Sequence, residues 1–311
     1  MNLPQTAPTI VVGICAYKKA EGLHTLLTAL AAQETSRPWR LVLVDNDPEG
    51  SAKEIFDRRR GEFSVPTEYI YENAGRLVAA RNAILDKAAP HESVLYIDDD
   101  CAPDSGWLEA FACAAEKFPD AVLAGPLTAT LMPGVTPPEW SSNMWFFNVQ
   151  PYSDGDLVGM AADGNALLPP KLIHVFGLRF EPYFDAGRGQ DTDLFLRWKA
   201  QGGEIRWVSG GHAIEWIPQD RTTTKYLRAR SLAAGYGFTR INLYRRTGRA
   251  RRLATTGVDL VAGTARYIAG AARRDANARG RAVYDLSIGV GSVRAFAEQG
   301  REIFARRGRR G

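Results

Sequence analysis

The sequence predicts an α/β fold: a mostly parallel, twisted sheet with helices on both faces, followed by a helical C-terminal extension. Three observations predict it. Strand-like and helix-like segments alternate over residues 9–100, as in a parallel sheet with crossover helices. The polar residues of this stretch gather where the strands end, which is where ligands bind in such sheets. Composition then shifts near residue 245. Residues 245–311 hold 16 Arg, no Lys and 5 acidic residues, a balance of +11 that leaves −7 for residues 1–244 out of the chain's +4. The expected division is 1–244 and 245–311.

Thr9–Cys15 is apolar and β-branched, as a strand buried on both faces must be. Leu23, Leu26, Leu27 and Leu30 fall on one face of a helix over 21–34. Leu41–Val44 is the next strand, ending in Asp45-Asn46-Asp47-Pro48, and residues 50–60 read as a helix. Glu68–Tyr71 is a short strand, 76–88 a helix, and Val94–Ile97 a strand ending in Asp98-Asp99-Asp100. A helix over 104–118, strands at 121–125, 164–168 and 205–208, and helices over 191–201 and 222–232 follow. The stretch 130–160 is rich in Pro, Trp and Gly and reads as loops over a site. The first residues carry no basic and apolar leader pattern, no run reaches the length of a membrane span, and Cys15, Cys101 and Cys113 lack ligand spacing. A cytoplasmic protein with reduced thiols is expected.

Asp98, Asp99 and Asp100 repel one another, and burial raises that cost. A cation between them resolves it. On an extended strand Asp98 and Asp100 point the same way, and their hard oxygens suit Mn²⁺ or Mg²⁺ shared with a substrate's phosphates. The competing reading is a solvated acidic turn.

Further pieces stand in order along the chain: Asn73-Ala74-Gly75 with Ala80-Arg81-Asn82, the three aspartates with Trp107-Leu108, Gly164-Asn165, Gly189 to Arg197, Glu215-Trp216-Ile217-Pro218 with Arg221, and Tyr226 to Arg230. Over about residues 9–238 this series resembles the family 2 glycosyltransferases of the GT-A fold, most of all bacterial members that build exopolysaccharide or lipopolysaccharide. The resemblance implies transfer of a sugar from a nucleotide-sugar to an acceptor hydroxyl, with inversion. It implies a metal–diphosphate held by Asp98 and Asp100, with Asp99 at ribose or metal, Asp45 at the base, and Arg81 at base or phosphate. Ala16, Tyr17, Asn73, Asn165, Arg221, Arg228 and Arg230 complete the implied donor set. Arg228 and Arg230 also read as a solvated basic face.

Inversion needs a base on the acceptor side. The family's acidic pair before a helix is here Gln190-Asp191, so Asp191 is the expected base; a helix cap at Asp191 and a base at Asp193 are the alternatives. Glu215 and His212 are candidate metal contacts, His212 also reading as a structural residue.

In the extension, Leu253–Ile268 and Val283–Phe304 allow helices, and Leu286, Val290, Val293, Ala297 and Phe304 give the second an apolar face beside Arg281, Arg294 and Arg301. It is expected either to lie on an anionic membrane, to pack on the catalytic domain, or to form a dimer surface. The function expected is a metal-dependent (Mn²⁺ or Mg²⁺) inverting hexosyltransferase at the inner face of the cell membrane, using a UDP-hexose and a glycan or lipid-linked acceptor. A sugar-phosphate nucleotidyltransferase and a non-catalytic nucleotide- or nucleic-acid-binding module are the alternatives. The acidic body counts against nucleic acid.

Overall fold

Val11, Val12, Leu41, Leu43, Val94 and Leu95 are fully buried in a computed structural model of the chain, which describes residues 9–141, 152–185, 189–245 and 248–308. The strands they belong to alternate with helices: β1 (Ile10–Ala16), α1 (Ala20–Ala31), β2 (Trp39–Asp45), α2 (Lys53–Arg59), β3 (Thr67–Tyr71), α3 (Leu77–Lys87) and β4 (Ser93–Ile97). The chain continues as β5 (Cys101–Pro103), α4 (Trp107–Lys117), β6 (Val122–Ala124), β7 (Leu127–Leu131), β8 (Asn165–Leu168), α5 (Gln190–Ala200), β9 (Ile205–Trp207) and β10 (Ala213–Ile217). It closes with α6 (Thr224–Tyr244), α7 (Arg249–Ala272) and α8 (Ala276–Gly308).

The described residues form two compact units. The first holds 9–130, 152–185 and 191–216; the second holds 131–141, 189–190 and 217–308. In the first, seven strands lie in the order β3-β2-β1-β4-β8-β6-β9. β1 is parallel to both β2 and β4, and β2 to β3. The expected parallel sheet is interrupted once: β8 runs antiparallel between β4 and β6. Successive side chains of β1 enter opposite faces. Val12 and Ile14 pack with Leu26 and Leu30 of α1 and with Phe111 of α4, whereas Val11 packs with Ile84 of α3 and Phe195 of α5. Gly13 lets α3 come close, since a Cβ there would lie 2.7 Å from Ile84 Cγ2. A smaller sheet, β5-β10-β7, sets β10 antiparallel to β5. Of the loop-rich stretch 130–160, residues 142–151 lie outside the described residues.

In the second unit α8 packs on both α6 and α7, and glycines set the approach. A Cβ on Gly235 would lie 2.1 Å from the Ile288 carbonyl oxygen, and one on Gly291 2.1 Å from that of Leu232. Both expected C-terminal helices exist and are longer than the sequence pattern suggested, because helix-compatible alanines and arginines flank each apolar segment.

Candidate active site

β1, β2 and β4 are in parallel register, so their following loops emerge together at one sheet edge. Asp98, Asp99 and Asp100 lie there in a turn, closed by the Cys101 N–H donating to the Asp98 carbonyl at 3.1 Å. This corrects the extended-strand geometry inferred for Asp98 and Asp100: the strand ends at Ile97, and the turn separates the three carboxylates. The two that meet one cation are Asp99 and Asp100. The Lys19 ammonium sits 3.0 Å from Asp99 Oδ1 and 2.8 Å from Asp100 Oδ2. The Tyr17 N–H donates to Asp99 Oδ2 at 2.8 Å. Lys18, between these two anchors, takes a left-handed backbone at φ 55°, the kind of local strain held at ligand-facing turns. Burial raises Asp99 to about 6, with Lys19 and the Tyr17 amide pulling it down.

Asp98 turns the other way, toward Gly164, where a Cβ would fall 2.2 Å from Asp98 Oδ2. Arg81, buried on α3, reaches Asp98 at 3.7 Å and Asp163 at 2.5 Å, with its guanidinium 5.4 Å from the Phe180 ring centre. Asp163 escaped the sequence reading; its signal was an acid immediately before Gly164-Asn165 at a strand start. Burial pushes Asp163 up to about 8, Arg81 opposes this, and Asp191 and Asp98 add to it. Burial alone would lower the Arg81 pKa, but Asp163 and Asp98 more than offset it. Asp191 therefore stands within electrostatic reach of Asp163, Arg81 and Asp98. It lies inside the first turn of α5, and its Oδ1 accepts the Thr192 N–H at 2.7 Å. Asp193, the alternative base, is fully buried and paired with Arg197 at 2.9 Å, which makes it a packing residue.

The remaining candidates divide. Glu215 faces Cys101 across the β5–β10 ladder, next to the acidic turn, and the Trp216 N–H donates to the Asp100 carbonyl. Ala16 ends β1 and accepts the Asn46 N–H; Tyr17 and Asn73 are exposed at the same edge. Three expectations are corrected by saturated partners. Asp45 is fully buried and accepts from the Asp47 and Ala52 amides and the Tyr69 hydroxyl, so it organises its loop. Asn165 is spent on Trp107 Nε1 and on the Pro126 and Gly211 carbonyls. Both His212 ring nitrogens are engaged, with Asp104 at 2.8 Å and Thr128 at 2.9 Å, leaving no lone pair for a metal. Arg221, Arg228 and Arg230 belong to the second unit.

The donor chemistry of the acidic turn fits a hard divalent ion. Its carboxylates already require a positive charge, and Lys19 stands in for one. Among the described residues no three metal-binding side chains converge as a finished cage. That suits an ion held by one or two carboxylates and completed by substrate phosphates. Ala16, Tyr17, Lys19, Ser51 and Asp99 line a shallow dent in the surface beside the turn.

Residues 11–176, more than half of the chain, match the family model described as Glycosyl transferase family 2. The succinoglycan biosynthesis protein ExoM of Rhizobium meliloti (strain 1021) is 27% identical over 235 residues, covering 75% of each chain. Among solved structures, S. aureus TarS 1–349 in complex with UDP aligns with a TM-score of 0.52 at 15% identity, covering 92% of this chain and 91% of that one. A longer S. aureus TarS chain aligns at 0.50 and 16% identity over 72% of this chain, which spans only 39% of it. At such identity the structural likeness speaks for the fold.

Proposed function

The chain belongs to glycosyl transferase family 2, and from that membership we propose that it transfers a sugar from a nucleotide-sugar, a UDP-hexose foremost, to a hydroxyl of a glycan or lipid-linked acceptor in exopolysaccharide assembly. The succinoglycan relative supports the pathway class, and the UDP-bound neighbour supports the nucleotide. Membership displaces the nucleotidyltransferase and binding-module readings. The observation that carries the proposal is the gathering of Asp98, Asp99, Asp100, Asp163 and Asp191 around Lys19 and Arg81 at the ligand-binding edge of the sheet.

In this reading Asp100, with Asp99 beside it, would hold Mn²⁺ or Mg²⁺ where Lys19 now sits, with Glu215 on the strand next to the same turn. When bound, the ion supplies positive charge to the leaving diphosphate. Arg81, itself held by Asp163, draws the Asp98 carboxylate, and the Tyr17 amide fixes Asp99. Asp191 takes the proton of the acceptor hydroxyl as that oxygen bonds to the anomeric carbon and the bond to the diphosphate breaks. The attack comes from the face opposite the leaving group, so the configuration inverts. Asp191 Oδ1 is committed to Thr192, whereas Oδ2 accepts no hydrogen bond among the described residues.

The test is UDP release from UDP-hexoses by the full chain, with acceptor glycan, in Mn²⁺ and in chelator, alongside calorimetric UDP binding. Asp191→Asn should keep UDP binding and lose transfer. Full transfer by that variant reassigns the base. Equal rates in Mn²⁺ and in chelator remove the metal from the proposal.

A further inference from the structure

The helices of the second unit bury small residues and display large ones. On α7, the side turned to α8 carries Thr256, Gly263 and Gly270, all buried, with Gly263 against Leu286 and Gly270 against Ala278. The opposite side carries Leu253, Val258, Val261 and Ile268, exposed at 60%, 63%, 72% and 64%. At 100° per residue these four fall within about 80° of Val261. Ala254, Ala265 and Ala272 fill the gaps between them. The one acid of α7, Asp259, lies away from this face, 3.9 Å from Arg252. The helix is about 36 Å long at 1.5 Å per residue, from its 24 residues. No described helix is long and apolar enough to cross a membrane.

We propose that the exposed face of α7 is a docking surface for an anionic phospholipid bilayer, on which the helix lies flat with Leu253, Val258, Val261 and Ile268 in the acyl boundary. Large aliphatics outside and glycines inside is the reverse of what water favours. It is the order that suits a helix whose outer side meets hydrocarbon. Charge selects the occupant. Exposed Arg251 stands at one end of the stripe and exposed Arg273 and Arg274 at the other, in a segment with 16 Arg to 5 acids. A second copy laid face to face sets cation against cation whether the helices run parallel or antiparallel, whereas lipid phosphates complement both ends. The structure thus adds α7 to the face expected on α8, where Val290 and Val293 are also exposed while Leu286 packs against α7.

Flotation of the full chain with vesicles tests this. Vesicles with about 30% phosphatidylglycerol should carry the protein up, pure phosphatidylcholine far less, and about 1 M salt should weaken the association. The triple variant Val258→Glu, Val261→Glu, Ile268→Glu should lose vesicle binding more than about tenfold. Its melting temperature and UDP binding should be unchanged, since the three side chains contact solvent. Arg251→Gln with Arg273→Gln and Arg274→Gln should abolish the preference for anionic vesicles. Undiminished binding by the triple Glu variant overturns the proposal. So does a wild-type dimer that this variant converts to monomer without lipid, which assigns the face to a second copy.

Discussion

The two edges of the main sheet use their charged groups in opposite ways. At the amino ends of the strands, Arg40 of β2 grips Glu92 with two hydrogen bonds, 2.9 Å and 2.7 Å, just before β4 begins. That guanidinium holds the Glu92 carboxyl below its usual range, against its burial. A recess lined by Thr9, Trp39, Arg40 and Pro66 opens at this edge, with no acid in its lining. At the carboxyl ends the acids outnumber the cations, and burial pushes Asp99 and Asp163 up. One edge satisfies its charges and stabilises the fold. The other gathers buried carboxylates around Lys19 and Arg81, which costs stability and is relieved when further positive charge arrives.

The contrast breaks most sharply in activity. Asp100→Ala should lower Mn²⁺-dependent UDP release by at least about 10³-fold, since it removes charge from the leaving-group side. Arg40→Ala, at the other edge, should change it less than about twofold. In urea unfolding, Arg81→Ala should cost about 4 kcal/mol, because Asp163 and Asp98 lose their buried partner. Arg81→Met combined with Asp163→Leu should recover most of that.

The pH dependence should have opposite signs at the two edges. Asp99 binds its proton more tightly folded (about 6) than at its ordinary value of 3.8. Its contribution is therefore fully present below about pH 4 and lost as the pH rises through about 6, a change of roughly 3 kcal/mol. Asp163, at about 8, extends the decline. Glu92 is lowered, so its contribution is present above its ordinary 4.5 and lost as the pH falls through its folded value. Urea midpoints measured in chelator should show a shallower upper slope in Asp99→Asn, the remainder being due to Asp163, and should lose the acid limb in Glu92→Gln. Mn²⁺ should flatten the upper slope alone. The smallest expected effect is that of Lys19→Met: about 1 kcal/mol less stability in chelator, restored by Mn²⁺. Equal Mn²⁺-induced shifts in melting temperature for this variant and the wild type would refute the stand-in role of Lys19.

The alternation of strands and helices was legible because buried parallel strands are continuous apolar runs and the helices show one-sided spacing. The antiparallel insertion of β8 was not, because four buried residues, Asn165 to Leu168, carry no sign of direction. The site was legible at the level of which loops meet. It was misread at Asp45 and Asn165 and in the metal alternative at His212, since hydrogen-bond saturation depends on partners 2 to 108 residues away. Asp163 and Lys19 were missed because each is an unremarkable charge in sequence and acquires its role only opposite Arg81 or the acidic turn. In the extension, the pattern suggested an apolar face for α8, of which Val290 and Val293 are exposed and Leu286 is packed on α7; the exposed stripe of α7 was not read.

The Lys19 bridge has a consequence for how this protein is made. A chain whose crowded acids needed a metal merely to fold could not mature without it. Here a tethered ammonium neutralises the turn from the outset, so the nascent polypeptide can close that edge in ion-poor surroundings. On the proposed metal reading, folding and loading would be separate events in time, with Lys19 giving way when the donor and its ion arrive together.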